Sequence, residues 1–174
     1  MSNPTIDSAK LVGQIGGFLK ALPESLGIGK SDEVWTTEIK RGISKLGHEN
    51  GFLVCYSGFP TPKDQEWLYD LTWFRNTPEH YLEELIMVLE SEWCRDADGI
   101  HYDFEKLLVA KAPIKVMIFQ NHKDNLDALW AMLAEGILRY RNHDLGETFV
   151  LAAFQNETQK FVIKHGNHVE IFRA

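Results

Sequence analysis

Apolar positions recur at helical spacing early in the chain and alternate in its middle, and the change of period marks the elements. Between Ser8 and Leu26, Leu11, Ile15, Phe18, Leu19 and Leu22 fall on one helical face. Gly13, Gly16 and Gly17 weaken that helix, each by about 1 kcal/mol relative to alanine. "PESLGIGKSDE" reads as a connection, and Ser31 opens a second helix whose first turn is acidic, as the helix dipole favours. Val34, Ile39, Ile43 and Leu46 give it an apolar stripe, and "HENG" closes it. "GFLVCYSGF" (51–59) and "EWLYDLTWFR" (66–75) have strand composition. In the latter, Trp67, Tyr69, Leu71 and Trp73 alternate on one face, while Asp70 falls on the other.

The next segment, "LIMVLESEW" (85–93), fits two periods. As a helix, Leu82, Leu85, Ile86, Leu89 and Trp93 form a stripe, with Glu83, Glu84, Glu90 and Glu92 wet. As a strand, Ile86, Val88, Glu90 and Glu92 share a face and the two glutamates project together from its end. "CRDADGIHY" reads as a loop. "DFEKLLVAKAP" reads as a helix capped by Asp103 and stopped by Pro113. "IKVMIFQ" (114–120) is a short buried strand, and "NHKDNLDALWAMLAEGILRYR" is the clearest helix, with Leu126, Leu129, Trp130, Leu133 and Ile137 on one face. "ETFVLAAFQ", "QKFVIKH" and "NHVEIFR" follow as strands. The expected fold is α/β: a mixed central sheet flanked by helices, in one domain.

Composition sets bounds on partners. The 174 residues are 44% hydrophobic and 25% charged, enough for a sizeable core. Two cysteines, Cys55 and Cys94, make neither a disulfide framework nor a metal-binding pair, which points to a reducing, cytoplasmic setting. "LIMVL" is too short to cross a membrane, and "MSNPTIDSAKLVGQIGGFLK" does not read as a secretion signal. The net charge of −7 counts against indiscriminate phosphate binding, though not against a local basic groove or a bound cation.

Strand placement of residues 85–93 gains support from its predecessor. Two consecutive strands would each carry an acid that interrupts an apolar pattern, Asp70 in "LYDLTW" and Glu90 in "VLESEW". An unpaired buried carboxylate costs several kcal/mol. Acids side by side in a sheet therefore need a partner or a cation, and Mg²⁺, with a few carboxylates and several waters, suits phosphate chemistry.

This order of helix with glutamate, strand, strand with aspartate, strand with Glu-x-Glu, then helix resembles the PD-(D/E)XK nucleases, the restriction-endonuclease-like superfamily. The carrying residues are Glu38 in "WTTEIKRG", Asp70, Glu90 and Glu92, and "DFEKLL". The resemblance spans residues 32–120, with 1–30 as an N-terminal helical elaboration and 121–174 as a helix plus C-terminal strands. It implies an αβββαβ core and Mg²⁺- or Mn²⁺-dependent hydrolysis of phosphodiester bonds, with DNA as the nucleic-acid partner. Asp70 and Glu90 would be the paired metal ligands and Glu38 an auxiliary one. Glu92 stands where most members have lysine, as ligand or base toward water, and Lys106 on the next helix would supply the displaced cation. The motif's proline has no counterpart beside Asp70. The alternative reading is an inactive member of the fold, serving as a protein-interaction or regulatory module. The C-terminal hairpin could supply a homodimer surface or simply complete the sheet.

Other polar motifs have plainer readings. "HGNH" (165–168) is better explained as a hairpin turn than as a metal site. His101 and Asp103 read as loop and cap, Lys111 as a routine helix-face lysine, and Trp67, Trp73, Trp93 and Trp130 as core. The N-terminal glycines lack a preceding strand, so they make no dinucleotide site.

Overall fold

A computed structural model of the chain describes residues 6–27, 29–56, 67–93, 96–121, 125–168 and 170. Its elements run α1 (Ser8–Leu26), α2 (Asp32–Glu49), β1 (Leu53–Tyr56), β2 (Leu71–Asn76), β3 (Leu82–Glu92), α3 (Ala97–Val109), β4 (Ile114–Asn121), α4 (Leu126–Arg139), β5 (Thr148–Gln155) and β6 (Lys160–Gly166). The six strands form one sheet in chain order. β1, β2 and β3 are an antiparallel meander, β3, β4 and β5 are parallel, and β6 returns antiparallel to β5. The fold is therefore mixed α/β, with helices on both faces of the sheet.

Two apolar layers hold it together. On one face, Leu11, Ile15 and Leu19 of α1 and Trp35, Ile39 and Ile43 of α2 pack on Leu71, Trp73, Met87, Leu89, Val116 and Ile118. On the other, Phe104 and Leu107 of α3 and Leu129, Leu133 and Ile137 of α4 cover Val88, Met117, Phe119, Phe149 and Leu151. Each such side chain contributes about 1.5–3 kcal/mol on full burial. Parallel strands covered on both sides have no polar face, which is why all eight residues of β4 are buried.

Residues 82–92 are a strand, not a helix. Helix formation would have wetted one side of a segment in which Ile86, Met87, Val88 and Leu89 are all fully buried. The register with β2 shifts twice: Arg75 pairs with Glu84 but Asn76 with Leu82, and Trp73 pairs with Met87 but Phe74 with Leu85, so Ile86 is a bulge residue. Beyond it Val88 lies toward α3, whereas Ile86 packs on the α1–α2 side, and the expected shared face of Ile86 with Val88 and Glu90 is interrupted.

Other boundaries shift for local reasons. α3 starts at Ala97, capped by Asp96 accepting from the Asp98 amide, so "ADGIHY" is helix and Asp103 lies inside it rather than capping it. β2 starts at Leu71, and Leu68–Asp70 form a bend, which removes Tyr69 from the face of Leu71 and Trp73. On α2 the buried stripe begins at Trp35, and Val34 is exposed. The proposed last strand "NHVEIFR" falls mostly outside the described residues, and Asn167, His168 and Glu170 are not in a strand.

Candidate functional site

The acid pair and the migrated lysine meet beside the end of β3. Glu90 follows Val88 and Leu89 up the strand, opposite Met117 of β4, and its side chain turns toward α3. There Lys106 reaches it, with Nζ 2.6 Å from Oε1 of a side chain only 3% exposed. The approach is off the ideal hydrogen-bond direction, so it is a close polar contact rather than a well-aligned hydrogen bond. The same ammonium donates to Asp103 Oδ1 at 3.2 Å, one turn back on α3. Residues three apart on a helix stand above one another, and that spacing lets one lysine serve both acids.

Asp70 arrives from the bend before β2. Leu71 pairs with Leu89, so the residue before it lies alongside Glu90, and Asp70 Oδ2 accepts the Ser91 amide at 2.8 Å. Its other oxygen accepts from Lys40 Nζ at 3.0 Å. Lys40 comes from the buried face of α2 and is itself buried. Burial is the main reason that the Glu90 carboxyl is pushed up to about 8, with the charges of Asp70 and Asp103 adding to it and Lys106 opposing. Tyr69, on the same side, has its phenol raised, by burial first and then by Glu90. The ammonium of Lys106 is also raised: burial lowers it, but its contacts with Glu90 and Asp103 outweigh that cost.

The other expected ligands sit less centrally. Glu92 is half-buried on the α3 side, and a Cβ added at Gly99 would lie 3.7 Å from its Oε2. Glu38 pairs with Arg41 along α2. Two residues on, about 200° around the helix, it is Lys40 that faces Asp70, so α2 brings a cation to the site where an acid was expected. His101 is paired with Glu105 on α3, and Lys111 with Asp144, away from this cluster.

The arrangement also shows how the acids coexist. Among the described residues, Asp70, Glu90 and Glu92 do not draw three ligand atoms within 4.8 Å of one another. Lys40 and Lys106 sit on the two carboxylates instead. Sequence reasoning missed Lys40, Tyr69 and Ser91. Only Lys40 left a signal: it stands three residues before Ile43, on the apolar stripe of its helix, where a lysine needs a partner. Further along the α3 side, Asn121 closes β4 with a buried side-chain amide that has no acceptor among the described residues.

Comparison of this chain with models of protein families, with curated proteins and with solved structures finds no match. Among the described residues no helix is long and apolar enough to cross a membrane.

Proposed function

We propose that the chain is a divalent-cation-dependent phosphodiesterase of the restriction-endonuclease-like kind, acting on nucleic acid and on DNA first. The observation that carries this reading is the meeting of Asp70, Glu90 and Lys106 from three separate segments at one point on the sheet. The antiparallel meander followed by a helical crossover to a parallel strand, with a helix ahead of it, supports the same reading. Fold stability does not require an acid at position 90, where an apolar side chain would avoid the desolvation cost.

The donor set fits a hard cation: Asp70 and Glu90 would hold Mg²⁺ or Mn²⁺ through carboxylate oxygens, with water completing the shell. Such an ion lowers the pKa of a coordinated water and polarises a phosphoryl oxygen. The Ser91 amide fixes the orientation of Asp70. Lys106, 35% exposed, keeps its ammonium beside Glu90 and can turn toward developing negative charge on a phosphoryl group. Glu92, half-buried at the end of β3, would act in this reading as ligand or as base toward water.

The second reading, an inactive member acting as an interaction module, is favoured by one observation: both carboxylates already have lysine partners. Metal titration separates the two. Mg²⁺ or Mn²⁺ should raise the melting temperature, by the equivalent of about 2.7 kcal/mol at a hundredfold excess over Kd, and Asp70→Asn should abolish the rise. Because the ion competes with the proton on Glu90, the rise should be larger above pH 8 than below pH 6.5. Chelator-sensitive cleavage of plasmid or oligonucleotide completes the test. No metal-dependent shift at millimolar concentration, with no cleavage, supports the interaction module.

A further inference from the structure

A second polar cluster lies where the loop after α4 meets the end of β6, and nothing in the proposed phosphodiesterase uses it. β5 and β6 pair with Phe149 opposite Gly166, and continuing that register by two residues sets Glu147 opposite His168. The turn "HDLGE", opened by Gly146 at a φ of 83°, folds His143 back onto Glu147. The two imidazoles then stack nearly parallel, 4.7 Å between ring centres.

Three features of the hydrogen bonding point to a shared centre. Nε2 of His143 is 2.7 Å from the carbonyl of Ile137, an acceptor only, so that nitrogen carries the proton. Nδ1 of the same ring therefore presents its lone pair in a neutral imidazole, and it faces Oε1 of Glu147. Two acceptors do not attract on their own: a proton shared between them holds them together without a metal, and a cation bound by both would replace it. The other carboxylate oxygen, Oε2, is occupied by Lys115 Nζ at 2.6 Å, which leaves Oε1, the oxygen that faces His143, as the ligand atom this buried acid would offer. Finally, Nδ1 of His168 is buried with no hydrogen-bond partner among the described residues. One ligand atom from each of His143, Glu147 and His168 falls in a group no more than 4.8 Å across.

We propose that His143, Glu147 and His168 form a binding site for a borderline transition-metal cation, zinc first, distinct from the Asp70–Glu90 centre. Two imidazoles and one carboxylate are a common zinc set, with bonds of about 2.0–2.2 Å and a fourth position left to water or an anion. The second shell is the kind that such sites need: a backbone carbonyl fixes the tautomer of His143, and an ammonium orients the carboxylate. The ion would clasp the segment after β6 to the loop before β5. A hard ion is disfavoured, because Mg²⁺ prefers oxygen ligands and nearly ideal octahedral geometry.

The test is equilibrium dialysis of the full chain against zinc, with metal analysis, alongside thermal melts. One zinc per chain and a raised melting temperature are expected, with at least a tenfold loss of affinity in His168→Ala and no loss in Asp70→Asn. His168→Gln, which keeps bulk and polarity, repeats the measurement if the alanine variant does not fold. In ¹⁵N spectra of the histidine rings, zinc should move Nδ1 of both His143 and His168. Failure to retain zinc at micromolar concentration would overturn the site. So would unchanged affinity in the folded His168 variants, or loss of zinc in Asp70→Asn. Nuclease activity plays no part in these readouts, so the two proposals fail separately.

Discussion

Among the described residues, two carboxylates are buried on the same side of the sheet, each with a lysine 2.6 Å away, and the two pairs differ in whether the cation can leave. α3 touches both: Lys106 covers Glu90, while the carbonyl of Leu108 accepts from Lys115. Val88 lies opposite Lys115 and Glu90 opposite Met117, so the two sites are only two residues apart along neighbouring strands. Around Glu147 the pair is sealed, with both side chains 1% exposed and the lysine held by two oxygen acceptors. Around Glu90 the acid is buried but Lys106 is 35% exposed, on a helix surface from which it can swing into water. A sealed lysine stays on its oxygen, and only the second oxygen of Glu147 is left for another cation. A pair whose cation is free to leave is a place where another cation can compete.

The largest effect expected from this difference is on the sealed side. Lys115→Met takes the ammonium from a buried Glu147 and leaves it with His143 beside it, and breaking one side of a buried pair costs about 3–5 kcal/mol. Denaturant unfolding should show that loss as a lower midpoint with an unchanged slope. Replacing both partners, in Lys115→Met with Glu147→Leu, should cost less than either change alone. A Lys115→Met variant as stable as the parent would mean that the pair contributes nothing and that the distinction is only geometric.

The next effect is on pH dependence. Glu90 ionises near 8 in the fold and near 4.5 in a free chain, so between those values the native state holds a proton that the unfolded state has released. Stability attributable to this group therefore falls as pH rises from about 4.5 to about 8 and is level above that. Glu90→Gln removes the slope. Melts across pH 5–9 should show the variant gaining on the parent as pH rises, with the gap constant beyond about pH 8.5. A gap that stays the same at every pH would show Glu90 ionised throughout, held by Lys106 as firmly as Glu147 is by Lys115.

How far the sequence discloses these sites follows from what each rests on. The mixed α/β sheet was legible because the periods were clean: α4 shows its stripe from Leu126 to Ile137, and β4 has no polar face at all. β3 was ambiguous, since its apolar run suits both periods, and the acids beside it favoured the strand where the run itself did not. The bulge at Ile86 and the bend at Leu68–Asp70 left no trace in the pattern, because both depend on how β2 meets β3. Asp70 and Glu90 could be named from the sequence as costly charges, and Lys106 only through the family resemblance. Lys115 could not be paired in advance, because its partner is 32 residues away, across a helix and a turn. His143 and His168 are 25 residues apart, and only the β5–β6 register brings them together.

The smallest expected effect sharpens the comparison most, because it asks whether Lys106 is dispensable to the fold. Lys106→Met removes an ammonium that water could solvate, and near pH 6 the Glu90 left behind can remain protonated rather than stranded as a charge. The cost there should be about 1 kcal/mol or less, the range of an exposed ion pair. It should grow as pH rises past 8, where Glu90 would have to ionise without its partner. Lys115→Met should remain the more damaging change at pH 6, since Glu147 lies deeper and its lysine has no route to solvent. Equal losses for the two variants at pH 6 would mean that Lys106 is as fixed as Lys115. The Glu90 centre would then be a closed ion pair, with no room for a metal to take the place of its lysine.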